Sequence, residues 1–306
     1  MEFKCKLLAV VCLLTGAMSC AAGEQPINEG RTGYLENTSI KEASGLAASR
    51  LRSDLLWVIN DGGNSPLLYA VSPDGRDRGS VRVGSAENRD WEDLASFEYR
   101  GRAYLAIADV GDNYARRETC TIYMVEEPEL SAAHFSADAA AEPAWRITFR
   151  YEDGPRDCES IAIDPANHRI LLLSKRTMPP ALYGLPLFPS GNASGHVAER
   201  LAEIPTIHPY RNMPTAMDIS PDGSLLAVLT YRRAYLFKRS SHQRWESSVY
   251  RMPEGFALPR LYQAEALCFG PDGRTIFITS EKRPAPLLRF VLDEGGADWK
   301  RENALN

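Results

Sequence analysis

The stretch Thr215-Ala216-Met217-Asp218-Ile219-Ser220-Pro221-Asp222-Gly223, with the apolar run 225–230 directly behind it, decides the fold. It reads as a strand, a tight turn and a second, more apolar strand, because Pro fixes φ at the turn and Gly supplies φ > 0. Pro-Asp-Gly also stands at 73–75 and 271–273, each time between two strand patterns. The strand pair itself returns more often than the turn. First strands start at Ser44-Gly45-Leu46-Ala47, Glu92-Asp93-Leu94-Ala95, Glu159-Ser160-Ile161-Ala162-Ile163-Asp164 and Glu265-Ala266-Leu267-Cys268-Phe269. Second strands follow at 55–60, 104–109, 170–174 and 275–280, with the length and apolar content of buried β-segments.

Third strands carrying Tyr or Phe come next in most units, at 67–71, 121–125, 181–185, 234–238 and 287–292. Weaker fourth strands are drawn at 81–83, 145–151 and 248–251. Self-similarity at a period of roughly 40–60 residues is the signature of propeller blades. Closing such meanders into a ring removes the exposed edges that a long open sheet presents. The predicted fold is therefore all-β, a β-propeller of four-stranded blades. Five repeats are counted, residues 32–40 complete the last blade as its outer strand, and 131–144 is an excursion inside the second unit. A sixth blade has room only in the long intervals after Glu92 or Glu159.

Composition agrees with one large core: of 306 residues, 44% are hydrophobic and 9% aromatic. With 35 Lys and Arg against 40 Asp and Glu, and no dense basic run, nucleic acid is not an expected partner. Residues 1–22 read as a signal peptide, with Lys4 and Lys6 ahead of the apolar run 7–14 and small residues through Ala22. That run is too short for a spanning helix, which needs about 20 residues. The chain is expected to be exported, to the periplasm or beyond, with 23–306 as a single propeller domain. Ala17-Met18-Ser19-Cys20 resembles a lipobox, so a lipid anchor at Cys20 competes with ordinary cleavage near Ala21 or Ala22. The remaining Cys120, Cys158 and Cys268 have no metal-binding spacing and read first as small buried residues.

Propeller geometry gathers the start of each first strand and the end of each second strand on one face. Around that mouth it places Glu42 or Ser44 with Asn60 and Asp61 from unit one; Glu92, Asp109, Asp112 and Asn113 from unit two; Glu159 and Lys175 from unit three; Thr215 and Tyr231 from unit four; and Glu265 and Glu281 from unit five. Glu at one strand position in three of five units is not explained by strand formation, since Glu is depleted in strands and crowded like charges are costly. Either a hard cation such as Ca²⁺, held by Glu92, Glu159 and Glu265, offsets the charge, or Lys175, Arg176 and Lys282 do so as an ion-pair network. Asp109-Val110-Gly111-Asp112-Asn113 fits a ligand loop and an Asx turn equally, and lacks EF-hand spacing. Asn60-Asp61-Gly62-Gly63 is a turn first. The five histidines are isolated, and no nucleophile elbow, phosphate loop or dinucleotide fingerprint occurs. Asn37-Thr38-Ser39 and Asn192-Ala193-Ser194 are formal glycosylation sequons.

Ser44-Gly45-Leu46, Trp57-Val58-Ile59-Asn60-Asp61, Asp90-Trp91-Glu92-Asp93-Leu94-Ala95, Asp109 to Asn113 with Arg117, and Glu127-Pro128 resemble a group of exported bacterial propeller proteins of uncharacterised function. Glu159, Lys175, Thr230-Tyr231, Gln263-Ala264-Glu265-Ala266 and Ser280-Glu281 extend the resemblance over the mature chain. The chain is also loosely similar to SdiA-regulated and TolB-like six-bladed propellers. More distantly, Glu at an inner-strand start resembles the gluconolactonase and senescence-marker propellers, which implies a divalent metal in the channel at Glu92, Glu159 or Glu265. That family's ordered ligand set is not visible. The expected function is binding of a small or extended ligand, with a divalent cation, at the acidic mouth. Metal-dependent hydrolysis of esters, lactones or phosphoesters is the alternative, and docking of another envelope protein is the third.

Overall fold

The computed structural model describes residues 23–24, 27–189, 194–207 and 212–292. The leader over 1–22 with Cys20, and the sequon at Asn192, lie outside the described residues. The structure is an all-β propeller. Inner strands are Ala43–Ala48, Trp91–Tyr99, Cys158–Asp164, Pro214–Ile219 and Ala264–Phe269. Each pairs antiparallel with a second strand, Leu56–Asn60, Arg102–Asp109, Arg169–Ser174, Leu225–Thr230 or Thr275–Ser280. Third strands are Leu67–Val71, Cys120–Glu126, Ala181–Pro186, Arg233–Lys238 and Pro286–Leu292. Five such meanders lie among the described residues, and consecutive inner strands touch around a ring that closes from Ala264–Phe269 back to Ala43–Ala48.

The outer strands depart most from expectation. The closing strand of the last blade is Ile27–Tyr34, paired antiparallel with Pro286–Leu292, and lies earlier in the chain than 32–40. Ser194–Glu203 supplies a fourth strand to blade three that the pattern had not marked, and pairs in parallel with Pro143–Tyr151 of blade two. Residues 248–251 are not a strand. Trp245–Ser248 makes one helical turn instead, burying Trp245 against Ile204, Ile207 and Phe237, and the outer strand of blade four is Glu254–Ala257. The indole outweighs local strand propensity because a large ring buries the most apolar area of any side chain there. Within the excursion 131–144, Ala140–Ala141 adds a short parallel strand to the first blade beside Arg82 and Val83.

Apolar side chains pack between consecutive blades, so the core is a series of interfaces. Trp57, Ile59 and Leu68 of blade one meet Trp91, Leu105 and Ile107 of blade two, and equivalent clusters fill the other junctions. Leu46, Leu94, Ile161, Met217 and Leu267 sit at matching places in these junctions, each opposite Val58, Ile107, Leu172, Val228 or Ile278. Cys120, Cys158 and Cys268 are free and buried, and burial pushes the Cys120 and Cys158 thiols up to about 12. No described helix is long and apolar enough to cross a membrane.

The channel-facing edge of each inner strand has no further strand to bond, and a buried unpaired N–H or C=O costs about 1–3 kcal/mol. Side chains take up this role. The Asp93 carboxylate reaches across the axis and accepts from the N–H groups of Leu94 (2.9 Å), Ile161 (2.8 Å) and Met217 (3.3 Å), joining three blades. In register with it stand Gly45, Ser160, Ala216 and Ala266, all small. Asp218 accepts from Phe269 N (2.8 Å), Thr215 Oγ1 donates to Ala264 O (2.7 Å), and Ser96 Oγ donates to Ala48 O (2.6 Å). On the blade one to two junction, Glu127 accepts from Arg50 N (2.8 Å) and Trp57 Nε1 (2.9 Å).

Burial pushes the Asp93 carboxyl well above the usual carboxylate range, against the pull of the three N–H groups that donate to it. Asp93→Ala leaves two or three channel N–H groups unpaired and is expected to cost about 2–9 kcal/mol in denaturant unfolding, at about 1–3 per group. Asp93→Asn, which keeps an acceptor and adds no charge, is expected to cost under half of that. Equal losses would mean that packing volume, not hydrogen bonding, holds the axis.

Candidate functional site

One irregularity recurs in all five blades. The register between first and second strands slips by one residue at Ala43/Gly45, Trp91/Asp93, Cys158/Ser160, Pro214/Ala216 and Ala264/Ala266. Ser44, Glu92, Glu159, Thr215 and Glu265 are the extra residues of five β-bulges. A bulge leaves its extra residue outside the ladder and re-aims the side chain. The three Glu that the pattern placed at strand starts stand at these positions. They are buried, and each raises the proton affinity of another mouth acid or has its own raised by one.

Two further positions per blade complete the mouth. Two residues ahead of the bulge stand Glu42, Asp90, Asp157, Met213 and Gln263. Their backbone carbonyls accept from the residue after the second strand, namely Asp61, Val110, Lys175 and Glu281 in blades one, two, three and five. Blade four offers Tyr231 at that place.

The carboxylates divide into two groups. Glu159 forms a buried ion pair with Lys175, whose ammonium also lies 5.4 Å over the Tyr231 ring and interacts with Glu265. Burial raises the Glu159 carboxyl to about 8 against the pull of Lys175, and burial and Glu265 raise Tyr231 to about 12. Glu265 Oε1 accepts from Gln263 Nε2 at 3.0 Å, and burial raises its carboxyl. Burial, then the charges of Glu265, Asp61 and Glu42, raise Glu281 to about 7. This side of the mouth carries its own counter-charge.

The second group has no ion pair of its own, and Lys175 and Arg117 act on it only from a distance. One carboxylate oxygen each from Asp61, Asp90 and Glu92 lies within 4.8 Å of the others, and none of the three is in an ion pair among the described residues. Burial and then the Asp61 charge push Asp90 up to about 6. Burial, Glu159, Asp61 and Asp90 hold Glu92 well above the carboxylate range. Burial also raises Asp61, against the bond it accepts from Gly62 N. Two glycines close over the cluster. A Cβ on Gly111 would stand 2.2 Å from Glu92 Oε1 and 2.6 Å from Asp90 Oδ2, and one on Gly62 would stand 2.3 Å from Asp90 Oδ1. Only glycine lets the backbone approach the carboxylates this closely.

Several expected mouth residues build the loops. Asn60 Oδ1 accepts from the N–H groups of Lys41 (3.0 Å) and Glu42 (3.3 Å), and its Nδ2 donates to Ser39 O (2.8 Å). Asp109 pairs with the buried Arg117 guanidinium at 2.7 Å, and Asp112 Oδ2 accepts from Arg117 N at 2.6 Å. Arg117 also donates to Gly111 O (2.8 Å), so this lattice presses Gly111 onto the acid cluster. Asn113 is exposed and accepts from Arg176, and Glu42 is exposed and accepts from Asn64 Nδ2 at 3.0 Å. Asp90, Asp157, Gly62 and Gly111 were not singled out from sequence. The signal for the two acids was an acid two places before a strand-start Glu in blades two and three.

The raised carboxyls set a pH profile for the ion-free protein. Between about pH 5 and 7 the folded chain holds protons on Asp90 and Glu281 that unfolded carboxylates, near 4, have lost. Folding stability therefore falls as pH rises through that window. In chelator-treated protein the melting temperature is expected to be higher near pH 5.5 than near pH 8. A rise over that interval would contradict the crowded-acid geometry.

No protein-family model matches the chain, and no curated protein matches it in sequence. Among solved structures, the chain is similar to one in the crystal structure of a nidogen/laminin complex, at 14% identity and TM-score 0.45, covering 83% of this chain and 84% of that one. It is similar to a luciferin-regenerating enzyme at 9% identity and TM-score 0.44, covering 87% and 95%. It is also similar to a gluconolactonase from Xanthomonas campestris at 13% identity and TM-score 0.43, covering 89% and 97%.

Proposed function

We propose that this chain is an exported propeller that holds a divalent cation between Asp61, Asp90 and Glu92 and binds a ligand over the mouth. The observation that carries the reading is the convergence of three carboxylates, none of them in an ion pair among the described residues, under Gly62 and Gly111. On the other side of the mouth, by contrast, Lys175 offsets Glu159. Three carboxylate oxygens with nearby backbone suit a hard cation such as Ca²⁺. Of the three Glu, Glu92 alone belongs to the cation cluster in this reading. Glu159, Lys175, Tyr231, Glu265 and Glu281 line the opposite side and face the ligand. Export rests on the leader pattern of residues 1–22.

Hydrolysis of an ester, lactone or phosphoester is the second reading, favoured by two acids of the same mouth, Glu281 at about 7 and Glu159 at about 8. Groups with such values exchange protons efficiently near neutral pH. A bound cation supplies Lewis acidity to such a site. The chain's own part would be to hold the proton at Glu281 and to orient the substrate through Lys175 and Tyr231.

Calcium at 100 times its Kd should add about 2.7 kcal/mol to the folded state and raise the melting temperature by several degrees. Asp90→Asn and Glu92→Gln are expected to weaken calcium at least tenfold in calorimetry while leaving the ion-free protein as stable or more so, since each relieves crowding. Gly111→Ala should also lose calcium, although it removes no ligand. Glu265→Gln should keep it. An equal calcium response in all of these proteins would overturn the cation site. Turnover is checked on a panel of lactones, aryl esters and phosphoesters, with Asp90→Asn as the inactive control.

A further inference from the structure

The hairpins after the second strands of blades two to five each carry two adjacent basic residues: Arg116-Arg117, Lys175-Arg176, Arg232-Arg233 and Lys282-Arg283. The matching turn of blade one, at 61–64, has none. In blades two and three, three of the four cations are used internally, Arg117 on Asp109, Lys175 on Glu159 and Arg176 on Asp157. In blades four and five none of the four is in an ion pair among the described residues. The hairpins of blades four and five thus gather four basic residues outside any ion pair, beside Glu281 of the mouth.

The unpaired bases surround open space. Arg232, Arg233 and Arg260, with Tyr231 and Tyr262, line a cavity of about 1000 Å³. A second, of about 490 Å³, shares Arg260 and Tyr262 and is walled by Lys282, Arg283 and Glu281. Tyr262 is 59% exposed, and Lys282 Nζ lies 3.6 Å from its ring centroid. Tyr231 stands at the inner end, under Lys175 and electrostatically joined to Glu265. In a chain with five more acids than bases, concentrating unpaired cations around one concavity costs self-repulsion that a bound anion removes. Guanidinium groups match carboxylate and phosphate oxygens in bidentate pairs, and exposed Tyr rings accept a flat apolar face.

We infer that this groove binds the anionic end of the ligand, a small organic molecule carrying a carboxylate or a phosphate beside an apolar face, whose other end passes Tyr231 toward the acid cluster. The inference deepens the ligand-binding reading and rests on it. The anion contacts themselves do not require the cation.

The test is calorimetry on the whole protein, with and without calcium, using glucose 6-phosphate, galacturonate and glucose as probes. At least one anion is expected to bind at least tenfold more tightly than neutral glucose and to weaken as salt is raised. The stronger of the two anions assigns the group as phosphate or carboxylate. Arg232→Ala with Arg260→Ala, both exposed and outside the acid cluster, should weaken the anion at least tenfold and leave the calcium response unchanged. Anions that bind no better than glucose, or equally well to the double variant, would overturn the inference. Anion binding without any calcium response would uphold it while removing the cation site.

Discussion

The recurring β-bulge at the start of each inner strand is the feature on which the mouth depends. A regular strand alternates its side chains between the two faces of the blade, so residues at strand starts would pack into the junctions beside Leu94 or Ile161. One inserted residue per blade takes Ser44, Glu92, Glu159, Thr215 and Glu265 out of that alternation without changing the register of the apolar positions behind them. The core and the mouth can therefore carry different chemistry on adjacent residues. Glu92 belongs to the acid cluster, while Leu94, two places on, is packed between blades.

Closing the ring imposes a second requirement, hydrogen-bond partners for inner-strand edges that face the axis. Asp93 meets it for three blades at once, at a level where the matching residues Gly45, Ser160, Ala216 and Ala266 are all small. Asp218, Thr215 and Ser96 meet it elsewhere. These polar groups differ from those at the mouth: their bonds go to backbone, and substitution there is a matter of stability. At the mouth the acids face one another, and the distribution of Lys and Arg over the hairpins decides which remain uncompensated.

How much was legible follows from which interactions are local. The five first strands, their aliphatic partners and the Pro-Asp-Gly turns were readable because each depends on residues within one hairpin. Fourth strands were read unevenly, 81–83 and 145–151 falling inside Asp77–Val83 and Pro143–Tyr151 while others were missed, because an outer strand is specified by what it packs on. Residues 248–251 yielded to the burial of Trp245, and Ser194–Glu203 gained its place by pairing with both Ala181–Pro186 and Pro143–Tyr151. The recurrence of Glu at 92, 159 and 265 was visible as a pattern, yet its local chemistry was not. Whether a carboxylate is paired depends on a residue brought in from about 16 places away, as Lys175 is to Glu159.

By itself, then, the sequence determined the repeating hairpin, the ring and the face on which polar residues gather, because strand alternation, turn residues and apolar content act over a few neighbouring positions. Tertiary structure alone decided that Asp61 and Asp90 join Glu92, that Asp109 and Asp112 are spent on Arg117, and that Gly62 and Gly111 press against the carboxylates. It likewise decided which basic hairpins keep a free charge. The reason is physical: a side chain's charge partner and its desolvation are set by distances through space, across the loops of one blade for Arg117 and Asp109 and between blades for Asp61 and Asp90, and those distances exist only once the chain has folded.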